Sequence, residues 1–127
     1  MTPVLLDHTA LLALGKGHRR LSGFVVAAAG GRGTLQVPAL SLLAAGRERE
    51  YLAEHVASLP GVEIEALDLP AALAAGDLAR AGTDWRISHA VHLARPTLDH
   101  PAGRPLISFE PGLYVGTGID PITPADT

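Results

Sequence analysis

The hydrophobic positions of this chain follow two periods, and these periods predict strands separated by helices. Short apolar or alternating runs are typical of strands, whereas apolar residues that return roughly every three or four positions mark one face of a helix. The strand pattern occurs at five places: residues 4–6, 34–37, 62–67, 106–108 and 119–122. In the third place, apolar positions alternate with Glu63 and Glu65, as in a strand with one face in water.

Helical segments are predicted between these strands. Pro38 suits the first residue of a helix, Asp68 suits a helix cap, and Gly82 suits a helix stop. Trp85 is predicted to cover the start of the last helix as a core residue, and Tyr114 to pack beneath the last strand. The predicted helices cover residues 9–14, 20–29, 39–45, 47–58, 70–80 and 84–94.

The alternation of strands and helices predicts an α/β fold. Parallel strands need long crossover connections, and these are usually right-handed helical connections that cover both faces of the sheet. We therefore expect a sheet of about five parallel strands flanked by helices. The 127 residues suit one domain, with a core over about residues 3–123 and a loose tail at 124–127.

Composition narrows the class of protein. The chain has 10 basic and 13 acidic residues, a formal charge of −3, so we expect no broad basic surface for non-specific nucleic-acid binding. Cysteine is absent, which excludes disulfides and thiolate metal sites and favours a reducing, cytoplasmic location. No apolar run approaches the ~18 residues of a membrane span, and the first residues lack a signal-peptide pattern, so no membrane partner is expected.

Three acidic residues stand where a parallel sheet would bring them to one edge. Asp7 directly follows the first strand, Glu110 stands just beyond the fourth, and Asp84 opens a helix. Strand carboxyl ends and helix starts face the same edge of such a sheet, and ligands bind there. Carboxylates gathered at one place hold hard cations such as Mg²⁺. The competing interpretation is that Asp7 and Asp84 cap helices, as acids do routinely.

Four segments of the chain together resemble a known family. They are Val-Leu-Leu-Asp-His-Thr from residue 4, Val-Pro-Ala-Leu-Ser-Leu-Leu-Ala-Ala from residue 37, Asp-Trp-Arg-Ile-Ser-His-Ala from residue 84 and Leu-Ile-Ser-Phe-Glu-Pro-Gly-Leu-Tyr from residue 106. In this order they are similar to PIN domains, most of all to small actinobacterial proteins related to toxin–antitoxin ribonucleases of the VapC type. The resemblance implies a parallel sheet between helices, frequent dimerisation, and Mg²⁺- or Mn²⁺-dependent cleavage of RNA.

The resemblance also implies roles for individual residues. Asp7, Asp84 and Glu110 fall on catalytic, metal-binding acids of the family. Thr9 falls on the hydroxyl that accompanies the first acid, and Ser108 takes a position usually held by Thr. Thr9 and Ser108 are therefore candidate substrate-binding residues, with Thr9 orienting a ligand water.

One departure from the family weakens the implied site. The remaining acid of the family falls on Ala44, so a carboxylate that would hold the metal is missing. Glu48 lies four residues later, on the same helical face if the helix continues through Gly46, and offers a partial replacement. The competing interpretation of Glu48 is an ordinary surface charge. We expect divalent cations to bind weakly or not at all.

Basic and imidazole side chains add further candidates. Arg19 and Arg20 belong to the one local basic cluster of the sequence and are candidate phosphate contacts, unless they are ordinary solvated residues at a helix end. His89 and His92 are three residues apart on one helix, and His8 follows Asp7. Imidazoles so placed bind Zn²⁺ or Mn²⁺ beside an acid, but a plain helix surface or a partner contact is the alternative for the pair.

Two hypotheses about function follow. The first is a degenerate PIN-like module with weak or lost nuclease activity, which binds RNA or a protein such as a cognate antitoxin-like partner. The second is an active Mg²⁺- or Mn²⁺-dependent endoribonuclease toxin of the VapC type. The missing acid and the acidic charge favour the first, and the three retained acids favour the second. A phospho-acceptor domain ranks last, because this chain lacks the partner acids after the first strand and the lysine near the end of the fourth strand that such a domain requires. In either of the first two cases we expect a homodimer.

Overall fold

The computed structural model of the chain describes residues 2–125, so the last two residues of the predicted loose tail lie outside this range. Over this range the strands are β1 (Val4–Leu6), β2 (Leu35–Pro38), β3 (Val62–Glu65) and β4 (Leu106–Ile107). The helices are α1 (His8–Gly15), α2 (Arg19–Ala29), α3 (Ala39–Glu48), α4 (Leu52–Ala57), α5 (Leu69–Arg80) and α6 (Trp85–Ala94), followed by a 3-10 helix at Pro111–Tyr114. The predicted alternation of strands and helices is confirmed.

The strands form one parallel sheet in the order β3-β2-β1-β4. Leu5 in central strand β1 pairs with Gln36 of β2 on one side and with Leu106 of β4 on the other. The chain adds β2 and β3 on one side of β1 and then returns to place β4 on the other side. The direction of strand addition therefore reverses between β1 and β4, and the carboxyl ends of these two strands flank the topological switch point of the sheet.

Side-chain alternation along the strands divides the core into two layers. Leu6, Val37 and Ile107 belong to a buried cluster completed by residues of α1, α2, α3 and α4. Leu5 and Leu106 belong to a second buried cluster, which is completed mainly by α6. Because successive residues of a strand point to opposite faces, β1 supplies both layers with adjacent leucines. Helices cover both faces of the sheet, as predicted.

The predicted fifth strand is reduced to an isolated bridge in the described part of the chain. Ile122 is bridged in parallel to Ile107; its N–H donates to the Leu106 carbonyl at 2.8 Å, and its carbonyl accepts from Ser108 N–H at 3.0 Å. The sheet described here has four strands and the sequence predicted about five.

The second predicted helical region divides at a different place. α3 runs through Gly46 to Glu48, and the chain then breaks before α4. Tyr51 has a left-handed backbone with φ of 66°, which a helix cannot contain, so the predicted helix over residues 47–58 is interrupted there.

Of the two aromatic residues expected in the core, only one is buried. Tyr114 is 2% exposed, as predicted. Trp85 is 38% exposed, and the Arg47 guanidinium lies 5.6 Å from its ring centre. The prediction for Trp85 is wrong because the first residue of α6 lies at the surface, where a cation covers the ring instead of the core.

Candidate functional site

Asp7 stands at the carboxyl end of β1 and is the N-cap of α1. Its side chain is fully buried, and both of its carboxylate oxygens accept hydrogen bonds. Oδ1 accepts from the Thr9 hydroxyl at 2.6 Å and from Ala10 N–H at 3.0 Å, and Oδ2 accepts from the Tyr114 hydroxyl at 2.6 Å. The helix-cap interpretation of Asp7 is confirmed, and the same carboxylate also joins the start of α1 to the 3-10 helix.

Thr9 and Ser108 connect the start of α1 to the chain after β4. Their hydroxyl oxygens are 3.1 Å apart, and because the Thr9 proton is directed at Asp7, Ser108 is the donor between them. Thr9 Oγ1 also accepts from Phe109 N–H at 2.7 Å, and Ser108 Oγ accepts from Glu110 N–H at 3.1 Å. The two hydroxyls are therefore engaged in a buried network that fixes the backbone leading to Glu110.

The hydroxyl of Tyr114 completes this network, which the sequence did not indicate. Burial raises the pKa of Tyr114 well above its usual range, and the charge of Asp7 and the hydrogen bond to it act in the same direction. The charge of Asp84 acts on Tyr114 as well. The hydroxyl thus remains a proton donor to Asp7 at any physiological pH.

Asp84 caps α6, again as the competing interpretation held, and it is paired with an arginine two residues later. Its Oδ1 accepts from Arg86 N–H and from Arg86 Nε, both at 3.0 Å, and its Oδ2 accepts from Arg86 Nη2 at 2.8 Å. The hydrogen bond from the Arg86 side chain lowers the pKa of Asp84, and the nearby His8 contributes in the same direction. Arg86 therefore holds Asp84 ionised.

Arg86 also approaches Glu48, a contact that the sequence analysis missed. Its Nη1 lies 3.9 Å from Glu48 Oε1. The hydrogen bond to Asp84 raises the pKa of Arg86 most, and the charges of Glu110 and Glu48 add to the increase. The Glu48 side chain is 49% exposed, so it is a surface charge, as the competing interpretation held, and it forms an ion pair with Arg86. The spacing of Asp84 and Arg86 beside a helix start was the available sequence signal.

Ala44 lies on α3, one helical turn before Glu48, and is 2% exposed. α3 packs against both α1 and α6, the two helices that Asp7 and Asp84 cap. The helix continues through Gly46, as the expected alignment of Ala44 with Glu48 required. No carboxylate is present at this buried position.

His8 is the first residue of α1 and is 1% exposed. Among residues 2–125, neither of its ring nitrogens has a hydrogen-bond partner. It follows Asp7 directly at the carboxyl end of β1. His8 is thus an unsatisfied polar side chain at the edge where the acids lie.

His89 and His92 do not occupy the helix surface together. His89 is fully buried, and its Nδ1 accepts from Leu40 N–H at 3.4 Å, so it packs on the start of α3. Burial lowers its pKa to about 4, and His92 adds to the decrease. The surface interpretation fails for His89 because α6 is covered by α3 and α5. Within residues 2–125, no group of three or more His, Asp or Glu side chains is placed to hold a metal ion.

Arg19 and Arg20 begin α2 and are exposed. Arg20 lines a cavity between α2 and the segment at 122–125, whose lining includes none of the three predicted acids. The structure therefore brings Asp7, Thr9 and Ser108 into one network, which Glu110 joins through its backbone N–H. Arg86 links Asp84 to Glu48, whereas Arg20 faces a different concavity.

Two comparisons with known proteins found no match. No protein-family model matches it. No curated protein matches it either. In the part of the chain that the structure describes, no helix is long and apolar enough to cross a membrane.

Proposed function

We propose that this chain is a degenerate PIN-like domain, related to toxin–antitoxin ribonucleases of the VapC type, that acts as a binding module and has weak or no nuclease activity. The observation that carries the proposal is the position of Arg86. Its guanidinium bonds both oxygens of Asp84 at 2.8–3.0 Å and lies 3.9 Å from Glu48. A fixed positive charge among carboxylates provides the neutralisation that a bound cation would otherwise supply.

The resemblance implies Mg²⁺ or Mn²⁺, and the donors present fit such an ion poorly. Both oxygens of Asp7 accept from protein donors, and both oxygens of Asp84 accept from Arg86. Ala44 offers no oxygen ligand from its side chain. A divalent cation would have to displace the Arg86 guanidinium and compete with the Tyr114 hydroxyl, and each displaced hydrogen bond lowers its net affinity. We therefore assign no catalytic step to a metal.

A protein partner fits the charge of the chain better than RNA does. Nucleic-acid affinity depends on basic side chains that neutralise phosphates, and this chain carries a net charge of −3. A basic, antitoxin-like protein is the partner that we propose, and RNA is the alternative. We also propose that the protein acts as a homodimer in a cytoplasmic setting.

A metal-dependent endoribonuclease is the second candidate function. The observation that favours it is the placement of Asp7 and of the Ser108–Glu110 segment at the carboxyl ends of β1 and β4, where the strand order reverses. The Arg86 side chain is 30% exposed, so it has room to move when a cation and a phosphate approach.

The experiment compares the natural protein with Arg86→Gln, and Arg80→Gln, at an exposed position of α5, is the matched control. Thermal melts with and without Mn²⁺ are paired with cleavage of a generic single-stranded RNA. We expect little Mn²⁺ response and no cleavage from the natural protein and from Arg80→Gln. Arg86→Gln should gain Mn²⁺-dependent stabilisation because its carboxylates lose their counter-ion. Mn²⁺-dependent cleavage by the natural protein that Asp7→Asn abolishes would refute the degenerate-module proposal.

A further inference from the structure

A cavity of about 480 Å³ lies on the α2 side of the sheet. One wall is the face of α2, the floor includes Val4, Leu35 and Ile107 of the strands, and Ile122 begins the opposite wall. Pockets for small molecules typically have volumes of about 300–1,000 Å³ and predominantly apolar linings. The cavity therefore has the size and chemistry of a small-molecule site, and neither function hypothesis uses it.

The residues of α2 that border the cavity occupy one helical face. Arg20, Phe24 and Ala27 are separated by four and three residues, the spacing of neighbours on a helix surface. The small side chain of Ala27 leaves room in the middle of this wall. Phe24 remains 37% exposed beside the opening, so a large apolar ring is available for contact with a ligand.

Basic side chains line the cavity at two places. Arg20 and Arg32 line it, whereas no Asp or Glu among the described residues does. Arg32 lies just beyond the end of α2 and is exposed, so it can approach a ligand group at the mouth of the cavity. Guanidinium groups bind carboxylates with two parallel hydrogen bonds, which a neutral head group cannot match. An apolar hollow with the Arg32 guanidinium at its mouth is complementary to an amphipathic anion.

We propose that this cavity binds an aliphatic monocarboxylate of medium chain length. The hydrocarbon chain packs between Phe24 and the strand residues Leu35 and Ile107, and the carboxylate faces Arg32. The apolar surface is a concave cavity, whereas a stable protein interface needs roughly 800 Å² from each partner. A compact ligand therefore fits this surface better than a second copy of the chain.

The test is calorimetric titration of the full-length protein with hexanoate, octanoate and decanoate below their micelle concentrations, and with decanol as a neutral probe. Each methylene that enters the cavity should raise affinity about fourfold, so each step of two carbons should raise it on the order of 15-fold until the cavity is full. Arg32→Gln should weaken decanoate binding roughly fivefold and leave decanol binding unchanged.

A second variant tests the location. Ala27→Leu fills the cavity and should abolish binding of the whole series, whereas Ala79→Leu, at an exposed position of α5, should bind like the natural protein. Arg32→Gln keeps the test valid if Ala27→Leu does not fold. Absence of saturable binding, affinity independent of chain length, or a self-association that Ala27→Leu abolishes would overturn the proposal. Binding only after removal of Asp126 and Thr127 would overturn it too, since the natural protein would then not take the ligand.

Discussion

Replacing Tyr114 by Phe removes a single hydroxyl from the buried network around Asp7. This hydroxyl donates to Asp7 Oδ2 at 2.6 Å, and the two residues are 2% and 0% exposed. A hydrogen bond to a buried charged group contributes about 1.5–3 kcal/mol to the free energy of unfolding. For 127 residues, an unfolding entropy of about 2.1 cal/mol/K per residue converts this loss into a fall in Tm of about 6–11 °C.

The pH dependence of this loss gives a sharper test. Burial raises the pKa of Tyr114 in the folded protein, whereas a tyrosine in the unfolded chain titrates near 10.0. Above that pH the unfolded state loses a proton that the folded state keeps, so the stability that Tyr114 contributes is complete below pH 10 and declines as pH rises. Tyr114→Phe lacks this ionisable hydroxyl and does not show the decline. The difference in the free energy of unfolding between the two proteins should therefore become smaller in alkaline solution.

Urea denaturation at about pH 8 and at about pH 10.5 measures this difference. Tyr51→Phe is the matched control, because Tyr51 is the other tyrosine of the chain and is 72% exposed. We expect its effect to stay within about 0.5 kcal/mol at both pH values. A Tyr114→Phe protein as stable as the natural one, or a difference that is equal at both pH values, would refute the reasoning.

Three further substitutions test other parts of the structure. Ala44→Glu places a carboxylate at a position that is 2% exposed, so we expect the free energy of unfolding to fall by about 3 kcal/mol or more without metal. Thermal melts should show partial recovery of this stability in Mn²⁺. No recovery would mean that residue 44 does not face the acids. His89 has its pKa lowered from 6.5 to about 4 by burial, so the stability it confers above pH 6.5 is lost as pH falls towards 4. In denaturation curves, His89→Asn should reduce the loss of stability between pH 6.5 and pH 4. His55→Asn, at an exposed site, should leave this loss unchanged. Arg104 is 9% exposed and donates to Gln36 and Glu65 at 2.7 Å, so Arg104→Met should cost about 3 kcal/mol in urea denaturation, against at most about 1 kcal/mol for Arg80→Met on the surface.

Local sequence patterns predicted the parts of the fold that depend on local chemistry. The apolar run at Val4–Leu6 and the acid after it were enough to predict β1, the cap at Asp7 and the start of α1. The contact between Asp7 and Tyr114 joins residues 107 positions apart, so no periodicity could indicate it. It depends on β1 and β4 being neighbours and on the 3-10 helix that follows β4.

The electrostatic partners were less predictable than the acids themselves. Arg86 stands beside Asp84 in the sequence, but its orientation towards Glu48 depends on how α3 and α6 pack. His89 was expected at a helix surface because the spacing of its helix gave no sign that a second layer of helices would cover it. The burial of a polar residue is decided by its neighbours in space, and these are distant in the chain.

Capping a helix and holding a metal are not exclusive roles for Asp7 and Asp84, so the presence of these acids is not by itself evidence of a metal site. Each caps a helix and accepts from the backbone N–H of that helix at 3.0 Å, a contribution of about 1 kcal/mol that requires no ligand. Both acids would therefore be kept for stability alone, at the same edge where a metal site would need them. Glu110 is different: its side chain forms no cap on the 3-10 helix that it precedes, and it is exposed. Among the three acids, Glu110 is therefore the one that caps no helix, and its negative charge adds to the increase in the pKa of Arg86 that the hydrogen bond to Asp84 mainly causes.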